Sequence, residues 1–201
     1  MIHNLNSLTC QGRDTTAQAL TWAFYLLMRN PEIAMKIFQE ASNISKASGS
    51  LRLQDYKYTL AVFYETIRLY PPVPFELKQA EVPTTLPDGT FLPSSSVVLW
   101  CTWAMNRSSL IWGSDADYFK PERWIREGEI VAKTAFEFPV FNGGPRMCLG
   151  KKMAELMAVK VISTFVRDFE FFCIDDKPRI SKNSLTLPMN GGLPCRVRRR
   201  L

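Results

Sequence analysis

Apolar residues recur with helical spacing in four stretches of the chain. These stretches predict helices over about residues 8–28, 31–41, 54–70 and 148–169. Asn30-Pro31 is expected to end the first helix, and Pro31 suits the first position of the second. Pro71 and Pro72 stop the third, because proline has no backbone N–H with which to continue a helix. Helices therefore make up most of the regular structure that the pattern predicts.

The segments between the helices combine turn signals with short apolar pieces. In chain order, we expect a polar loop over 42–50, turns with short extended pieces over 72–96, a buried strand over 97–100, an irregular aromatic-rich meander over 113–126 and a loop over 138–146. Asn190-Gly191-Gly192 indicates a hairpin turn, with the hairpin covering about residues 185–197. The predicted fold class is mainly α, with small β-sheets.

The composition is that of an ordinary globular protein. The chain has 201 residues, of which 46% are hydrophobic and 22% charged, enough for one domain with a core. No apolar run reaches the roughly 18 residues that span a bilayer, and no signal peptide precedes a small-residue cleavage site. The net charge is +6. Basic residues cluster only in the C-terminal tail, which we interpret as solvated, so we expect no nucleic-acid partner.

The cysteines and the histidine narrow the kinds of site that the chain can build. The five cysteines are widely spaced and include no C-x-x-C pair. The five cysteines are Cys10, Cys101, Cys148, Cys173 and Cys195. Their spacing argues against a disulfide framework and a structural zinc site, and it favours a reducing compartment. His3 is the only histidine, so multi-histidine metal sites are excluded and Cys-His nucleophilic catalysis is disfavoured.

The segment with the most specific chemistry is FNGGPRMCLG at residues 141–150, just before the fourth predicted helix. At a helix N-terminus, the helix dipole and backbone N–H groups favour the anionic form of the Cys148 thiol. Gly144 and Gly150 let a flat ligand approach the backbone, and Arg146 offers a fixed cation. A buried structural cysteine is the alternative interpretation. A phosphate loop is excluded, because it needs four residues between its glycines and five separate them here.

Two other segments contain residues whose roles the sequence pattern alone does not decide. Glu65 and Arg68 lie three positions apart on one face of the third predicted helix, and an exposed pair of this kind contributes about 0–1 kcal/mol. The first predicted helix contains GRDTT at residues 12–16. A glycine inside a helix costs about 1 kcal/mol relative to alanine, so this segment by itself indicates a kink.

The stretch 141–150 resembles the haem-ligand loop of the cytochrome P450 family, F-x-x-G-x-R-x-C-x-G, at every fixed position. The resemblance implies that the thiolate of Cys148 is the axial ligand of the iron of haem b, since a Cys thiolate has that role in this family. The other residues implied at the cofactor are Phe141, Gly144, Arg146 and Gly150.

Glu65 and Arg68 are similar to the E-x-x-R pair of the same family, and PERW at residues 121–124 resembles its P-E-R segment. In the family, these residues form a buried network that locks the meander to the helix. The resemblance therefore implies a network of Glu65, Arg68 and Arg123.

Residues 11–16 resemble the family's oxygen-activation motif, A/G-G-x-D-T-T. The resemblance implies that Gly12 opens a groove beside the iron and that Asp14 and Thr15 handle protons as catalytic residues. Gln11 departs from the small residue that the family has at its position.

The resemblance runs from about residue 9 to the end of the chain, with the three motifs in the family's order. We therefore expect residues 1–201 to be the C-terminal part of a single domain whose N-terminal part is absent. The resemblance implies membrane attachment through that N-terminal part, at the cytosolic face of the endoplasmic reticulum.

Less specific stretches resemble the eukaryotic fatty-acid ω-hydroxylase branch of the family. They are GRDTT at 12–16, LYPPVP at 69–74, LPDGT at 86–90 and WGSDA at 112–116. Lys78 lies near the place where many relatives have an arginine for a haem propionate. Val73, Phe75, Leu187 and Met189 match segments that line the substrate pocket in relatives, and plain core packing is an equal alternative for them.

The function that the resemblance implies is that of a monooxygenase, which inserts one oxygen atom of O2 into a C–H bond of a lipophilic substrate such as a fatty acid. Electrons would come from NADPH through a reductase, for which Lys151 and Lys152 offer a docking patch. Two alternatives remain: a truncated haem-binding fragment without turnover, and a haem-thiolate isomerase or dehydratase. The isomerase or dehydratase needs no electron donor, and the Asp14–Thr15 pair argues against it.

Overall fold

The computed structural model describes residues 2–47 and 52–200, and it places side chains for residues 12–45 and 52–200. The part of the chain that it describes is mainly helical, as predicted. Its helices are α1 (Ile2–Arg29), α2 (Pro31–Ala47), α3 (Lys57–Leu69), α4 (Thr102–Met105), α5 (Ser109–Trp112) and α6 (Lys151–Asp168). Within those residues, no helix is both long and apolar enough to cross a membrane.

The four predicted helices are present, but their ends differ from the prediction. The polar loop expected over 42–50 is wrong for residues 42–47, which continue α2; its remaining residues, 48–50, lie outside the described residues. Helix α2 continues because its apolar stripe does: Ile37 and Ala41 are buried, and Ile44 packs against the same core. Helix α6 begins at Lys151 instead of near 148, after a short 3-10 turn over Gly144–Arg146.

The strands form two-stranded antiparallel ribbons. In chain order they are β1 (Phe75–Gln79), β2 (Thr84–Thr85), β3 (Phe91–Leu92), β4 (Val97–Cys101), β5 (Ile125–Arg126), β6 (Glu129–Ile130), β7 (Phe169–Cys173) and β8 (Cys195–Arg199). The pairs are β1 with β4, β2 with β3, β5 with β6, and β7 with β8. The prediction of a buried strand over 97–100 is wrong about burial, since Val97 is 58% and Leu99 59% exposed. A ribbon with one partner strand leaves such residues uncovered unless another layer packs on it.

The hairpin predicted around Asn190 is also wrong. Strand β8 pairs with β7, directly after α6, and the segment around Asn190 contributes only an isolated bridge between Ser181 and Met189. Gly191 and Gly192 do turn the chain, with positive φ angles of 72° and 70°. Pro188 and Pro194 flank the turn and have no N–H to donate, so a local ladder cannot extend there.

The core lies where α1, α2, α3 and α6 meet. Buried residues from these helices, such as Ala23, Ile37, Phe63 and Ile162, form one cluster with aromatic residues of the chain that follows β4. A smaller cluster joins the C-terminal segment to α1. In it, the Trp22 ring stacks on Tyr70 with centroids 3.9 Å apart. The core thus fixes the position of α6 relative to α1.

Candidate functional site

Cys148 lies between the 3-10 turn Gly144–Arg146 and the first residue of α6, and it is exposed. Its backbone N–H donates to the Phe141 carbonyl at 2.7 Å, which closes the loop back on itself. The Met147 N–H donates to the Gly144 carbonyl at 3.1 Å. The sulfur therefore sits at the N-terminus of an 18-residue helix, where the dipole favours an anion.

Three glycines shape this loop. A Cβ at Gly150 would lie 3.9 Å from the Cys148 Sγ, so the absence of a side chain keeps the space beside the sulfur open. Gly144 has a φ of +62°, which L residues with side chains rarely adopt. Gly143, which sequence analysis did not single out, packs so closely that a Cβ there would lie 2.7 Å from the Ala135 Cβ. The loop therefore combines an open sulfur with a tightly specified backbone.

Phe141 and Asn142 attach this loop to its surroundings. The Phe141 side chain packs against the main core cluster, and its ring meets that of Phe138 edge-on. The Asn142 amide donates to Glu76 Oε2 on β1 at 3.1 Å. Burial raises the pKa of Glu76, while the hydrogen bond from Asn142 opposes that rise. Arg146, by contrast, is exposed on the turn, where it remains available to an anionic group.

The first turns of α6 are tied to α3 by a polar contact that the sequence did not reveal. The Tyr64 hydroxyl donates to the buried Glu155 carboxylate at 2.7 Å. Lys151 Nζ lies 3.9 Å from that carboxylate and 5.5 Å from the centre of the Phe141 ring. Burial, followed by the hydrogen bond to Glu155, raises the pKa of Tyr64 far above its ordinary value. A continuous set of contacts thus links α3 to the Cys148 loop.

Helix α1 passes beside the start of α6. A Cβ at Gly12 would lie 4.0 Å from Met153 Cε, in the first turn after the Cys148 loop. The structure thereby brings the segment 12–16 close to that loop, although the two are far apart in sequence. Asp14 is exposed and accepts a hydrogen bond from Arg13 Nε at 2.8 Å, and Thr15 is half-buried. The Gln11 side chain lies outside the described residues.

Glu65, Arg68 and Arg123 meet in a buried network. Among the described residues, five hydrogen bonds converge on the Glu65 carboxylate, which is fully buried. Their donors are Arg68 Nε and Nη2, Arg123 Nε, the Lys120 backbone N–H and the Trp124 indole Nε1, all at 2.8 to 2.9 Å. Glu65 and Arg68 therefore form a buried ion pair, and not the exposed surface pair that the sequence alone also allowed.

The two arginines of this network extend it into the chain between β4 and β5. Arg68 Nη1 donates to the carbonyls of Asn106 and Ala116 at 2.7 and 2.6 Å. Arg123 Nη2 donates to the Asp115 carbonyl at 3.0 Å. Carbonyl acceptors of this kind leave no signature in side-chain identity, so sequence analysis missed them. Trp124 was also missed, although its place directly after Arg123 was a usable signal.

An open cavity of about 330 Å³ lies beside β1, β4 and the C-terminal segment. Its lining residues are Pro74, Phe75, Cys101, Trp103, Ser181, Lys182, Asn183, Ser184 and Leu187. Phe75 and Leu187 are thus at the cavity, whereas Met189 is buried in the cluster with Trp22 and Val73 is not in the lining. Lys78 is exposed on β1, with its Nζ 5.7 Å from the centre of the Trp100 ring.

Comparison with known proteins points to one family. The family model described as Cytochrome P450 matches residues 1–195. The chain is 37% identical to Cytochrome P450 94B1 of Arabidopsis thaliana, over 96% of this chain and 40% of that protein. It is 35% identical to Cytochrome P450 CYP94D108 of Paris polyphylla, over 96% of this chain and 41% of the relative. It is 36% identical to Alkane hydroxylase MAH1 of Arabidopsis thaliana, over 97% and 39%. The chain spans about two fifths of the length of these relatives.

Proposed function

Because the chain belongs to the cytochrome P450 family, we propose that it forms the haem-binding, C-terminal part of a single monooxygenase domain. The observation that carries the proposal is the position of Cys148. Its thiol is exposed at the N-terminus of α6, and the Gly12 segment of α1 approaches the first turn of the same helix. A thiolate donor and the segment proposed to handle protons thus lie at one end of one helix.

The residues around Cys148 fit a haem. The sulfur is exposed and is not crowded by a side chain at Gly150, so a planar group can approach it. Phe141 and Gly144 shape the loop that presents the sulfur, and the exposed Arg146 is suited to an anionic propionate. When bound and held by the Cys148 thiolate, haem would supply the oxygen chemistry that inserts one atom of O2 into a C–H bond.

The chain itself keeps the sulfur in place at the start of α6. The hydrogen bond from the Cys148 N–H to the Phe141 carbonyl fixes the backbone on which the sulfur is carried. The dipole of α6 stabilises negative charge at this position. The network around Glu65 holds the chain after β4 against α3, and so stabilises the scaffold on which the loop rests.

We assign proton handling to Asp14 and Thr15. The reaction consumes protons, so the site needs a hydroxyl group and an acid that pass them on in order. Asp14 is exposed, which suits a group that exchanges protons with solvent, and Thr15 is half-buried one position further along α1. Gly12 has no side chain and packs beside Met153, so α1 comes close to the first turn of α6 at this point.

A lipophilic substrate, with ω-hydroxylation of fatty acids as the specific reaction, is the proposal that best fits the relatives and the cavity. One relative is named an alkane hydroxylase. One part of the open cavity of about 330 Å³ is lined by the apolar residues Pro74, Phe75 and Leu187, and another part by polar residues from 181 to 184. The apolar part favours an aliphatic chain, because burying each CH2 group contributes about 0.8 kcal/mol.

Electrons are proposed to come from NADPH through a reductase, at the cytosolic face of the endoplasmic reticulum membrane. Lys152 is exposed at the start of α6, close to the Cys148 loop, and suits an acidic docking surface. Lys151 is also at this surface but partly engaged with Glu155.

The test uses the full-length protein, expressed and purified in the presence of haem. Wild-type protein should show the red-shifted absorption band that a reduced, CO-bound thiolate haem gives. Cys148→Ser should lose this band, whereas the control Cys101→Ser should keep it. A protein that binds no haem, or a band that survives in Cys148→Ser, would refute the proposal.

Turnover is then measured with dodecanoic acid, NADPH and a reductase. A hydroxylated product that requires NADPH supports monooxygenase activity. Product formed without NADPH from any substrate would instead indicate an isomerase or dehydratase. Haem binding without any turnover would indicate the fragment alternative.

A further inference from the structure

Two cysteines face each other at the end of the C-terminal ribbon. The antiparallel register of β7 and β8 pairs Cys173 directly with Cys195. Directly paired residues extend their side chains from the same face of a ribbon, so both thiols are on one side. On that side, Cys173 Sγ lies 4.0 Å from Met28 Sδ of α1. Both cysteines are half-buried and unbridged.

The register gives Cys173 and Cys195 a Cα–Cα separation in the range that a disulfide bond needs. Directly opposed residues of an antiparallel pair have Cα atoms about 4.5 or 5.5 Å apart, depending on the type of pair. Disulfides join residues with Cα atoms about 4.4–6.8 Å apart. Burial raises the pKa of the Cys195 thiol, and the neighbouring Cys173 adds to that rise, as expected for two thiols close together. Because the thiolate is the reactive form, this rise slows attack by Cys195 at neutral pH and makes the oxidation faster at higher pH.

We propose that Cys173 and Cys195 are a redox modification site, a dithiol that hydrogen peroxide converts into a disulfide. The proposed function uses neither cysteine, because the haem ligand is Cys148. The source of the peroxide rests on the proposed function, since a monooxygenase that activates O2 without hydroxylating its substrate releases peroxide. The reactivity of the dithiol itself does not depend on haem.

The reaction balances with peroxide as the oxidant. One cysteine sulfur attacks an oxygen of hydrogen peroxide, the O–O bond breaks, and a sulfenic acid and one water form. The second cysteine sulfur then attacks the sulfenic sulfur, the S–O bond breaks, and a disulfide and a second water form. Two electrons pass from the two thiols to the peroxide, and the two thiol protons leave in the waters.

The disulfide bond would link the two ends of the segment that contributes residues to one wall of the cavity. Lys182 and Leu187, both at the cavity, lie in the chain between Cys173 and Cys195. Leu187 is held by two hydrogen bonds: its N–H donates to the Pro72 carbonyl at 2.9 Å, and its carbonyl accepts from Trp22 Nε1 at 2.9 Å. A cross-link at the base of this segment restricts the unfolded chain and so stabilises the fold. Oxidation is therefore expected to raise the thermal unfolding midpoint.

The experiment treats the purified full-length protein with hydrogen peroxide or with dithiothreitol, blocks free thiols and digests with trypsin. Cleavage after Arg and Lys yields peptides 168–179 and 183–196, each with one of the two cysteines. Peroxide should produce these two peptides joined, two hydrogen atoms lighter than their sum, and dithiothreitol should separate them. Cys173→Ser and Cys195→Ser should each abolish the joined peptide, and Cys101→Ser should keep it.

Peroxide that leaves both thiols free, oxidises them without joining them, or joins either one to another cysteine would overturn the proposal. A second arm replaces added peroxide with NADPH and a reductase, with and without catalase. A joined peptide that catalase prevents supports the proposed source. If added peroxide joins the peptides but NADPH with the reductase does not, the monooxygenase is not the source of the peroxide. That result would count against the part that rests on the proposed function and not against the reactivity of the dithiol.

Discussion

The Tyr64 hydroxyl donates to the Glu155 carboxylate at 2.7 Å, and this bond joins α3 to α6 close to the Cys148 loop. Glu155 is buried, so the bond satisfies a carboxylate that water reaches poorly. Its position gives it a role in orienting α6, since Lys151 connects the same carboxylate to the Phe141 ring.

Tyr64→Phe should destabilise the protein by about 1–3 kcal/mol, because it leaves the buried Glu155 carboxylate without its hydroxyl donor. Phenylalanine retains the ring that packs on Trp124. The matched control is Tyr58→Phe, whose hydroxyl donates to the exposed Glu122 at 2.9 Å and should matter less. Urea denaturation measures both free energies of unfolding. Equal losses in the two variants would show that burial of Glu155 is unimportant.

Glu65→Ala and Arg68→Ala should each give aggregate or apoprotein instead of a folded enzyme with altered kinetics. Removing one partner leaves an uncompensated buried charge and costs about 3–5 kcal/mol, a large part of a typical stability of about 5–15 kcal/mol. Soluble yield, haem content and unfolding midpoint are the measurements. Lys36→Ala, which removes a surface partner of Glu122, is the control and should cost about 0–1 kcal/mol. A wild-type midpoint in either core variant contradicts the prediction.

Trp124→Phe should cost more stability than Trp112→Phe. Both indoles are buried in the same cluster, so both variants lose similar apolar area. Only Trp124 donates to Glu65, at 2.9 Å, whereas the Trp112 indole N–H has no partner among the described residues. The free energies of unfolding of the two variants should differ by about 1–3 kcal/mol, because Trp124→Phe leaves the buried Glu65 carboxylate without one of its hydrogen-bond donors. Comparison of the two unfolding curves checks it, and a larger loss in Trp112→Phe would contradict it.

Local pattern was enough to predict the helices of the core, because their apolar stripes and proline boundaries are properties of neighbouring residues. The pairing of β8 with β7 was not predictable in this way, since it depends on partners more than 20 residues apart. The sequence favoured the turn around Asn190, which does form, but a turn alone does not determine which strands pair.

The residues at the candidate site divide in the same way. Glu65, Arg68 and Arg123 could be named from a resemblance, and the structure joins them. The partners that complete the network could not, because backbone carbonyls such as those of Asn106 and Ala116 accept hydrogen bonds whatever their side chains are. The contact between Tyr64 and Glu155 has no motif either, since it depends on how α3 crosses α6.

Glu40 links stability to pH through the cap of α3. Its carboxylate accepts the N–H groups of Tyr58 and Thr59, at 2.7 and 2.9 Å, and the Thr59 hydroxyl. Burial raises the pKa of Glu40 above its ordinary 4.5 despite these hydrogen bonds. Between the ordinary and the raised pKa, Glu40 is therefore protonated in the folded protein and ionised in the unfolded chain. The resulting stabilisation is complete below about pH 4.5 and is lost as pH rises through the raised pKa.

Relative to Glu40→Gln, the wild-type free energy of unfolding should accordingly fall as pH increases through this window. Glu137 provides a control of opposite sign, because its hydrogen bonds with Thr134 lower its pKa below 4.5. Relative to Glu137→Gln, the wild-type protein should lose stability as pH falls through that lowered pKa. Urea denaturation across the acid range measures both. Slopes of the same sign in the two comparisons would contradict the assignment for Glu40.

Thr15→Ala should keep haem and substrate binding while diverting electrons from product to hydrogen peroxide. The proposed function gives Thr15 a hydroxyl that passes protons during oxygen activation, and alanine cannot replace it. Asp14→Asn should instead slow turnover and give a solvent isotope effect on the remaining rate, since the exposed Asp14 is the proposed link to solvent. NADPH consumed, peroxide formed and hydroxylated dodecanoic acid are measured together with a reductase, with Thr16→Ala as the control of the same residue type. If the segment 12–16 were only a structural kink, Thr15→Ala and Asp14→Asn would both lose haem or stability. Unchanged coupling in Thr15→Ala would remove its proposed role and make Gln11 the next residue to test.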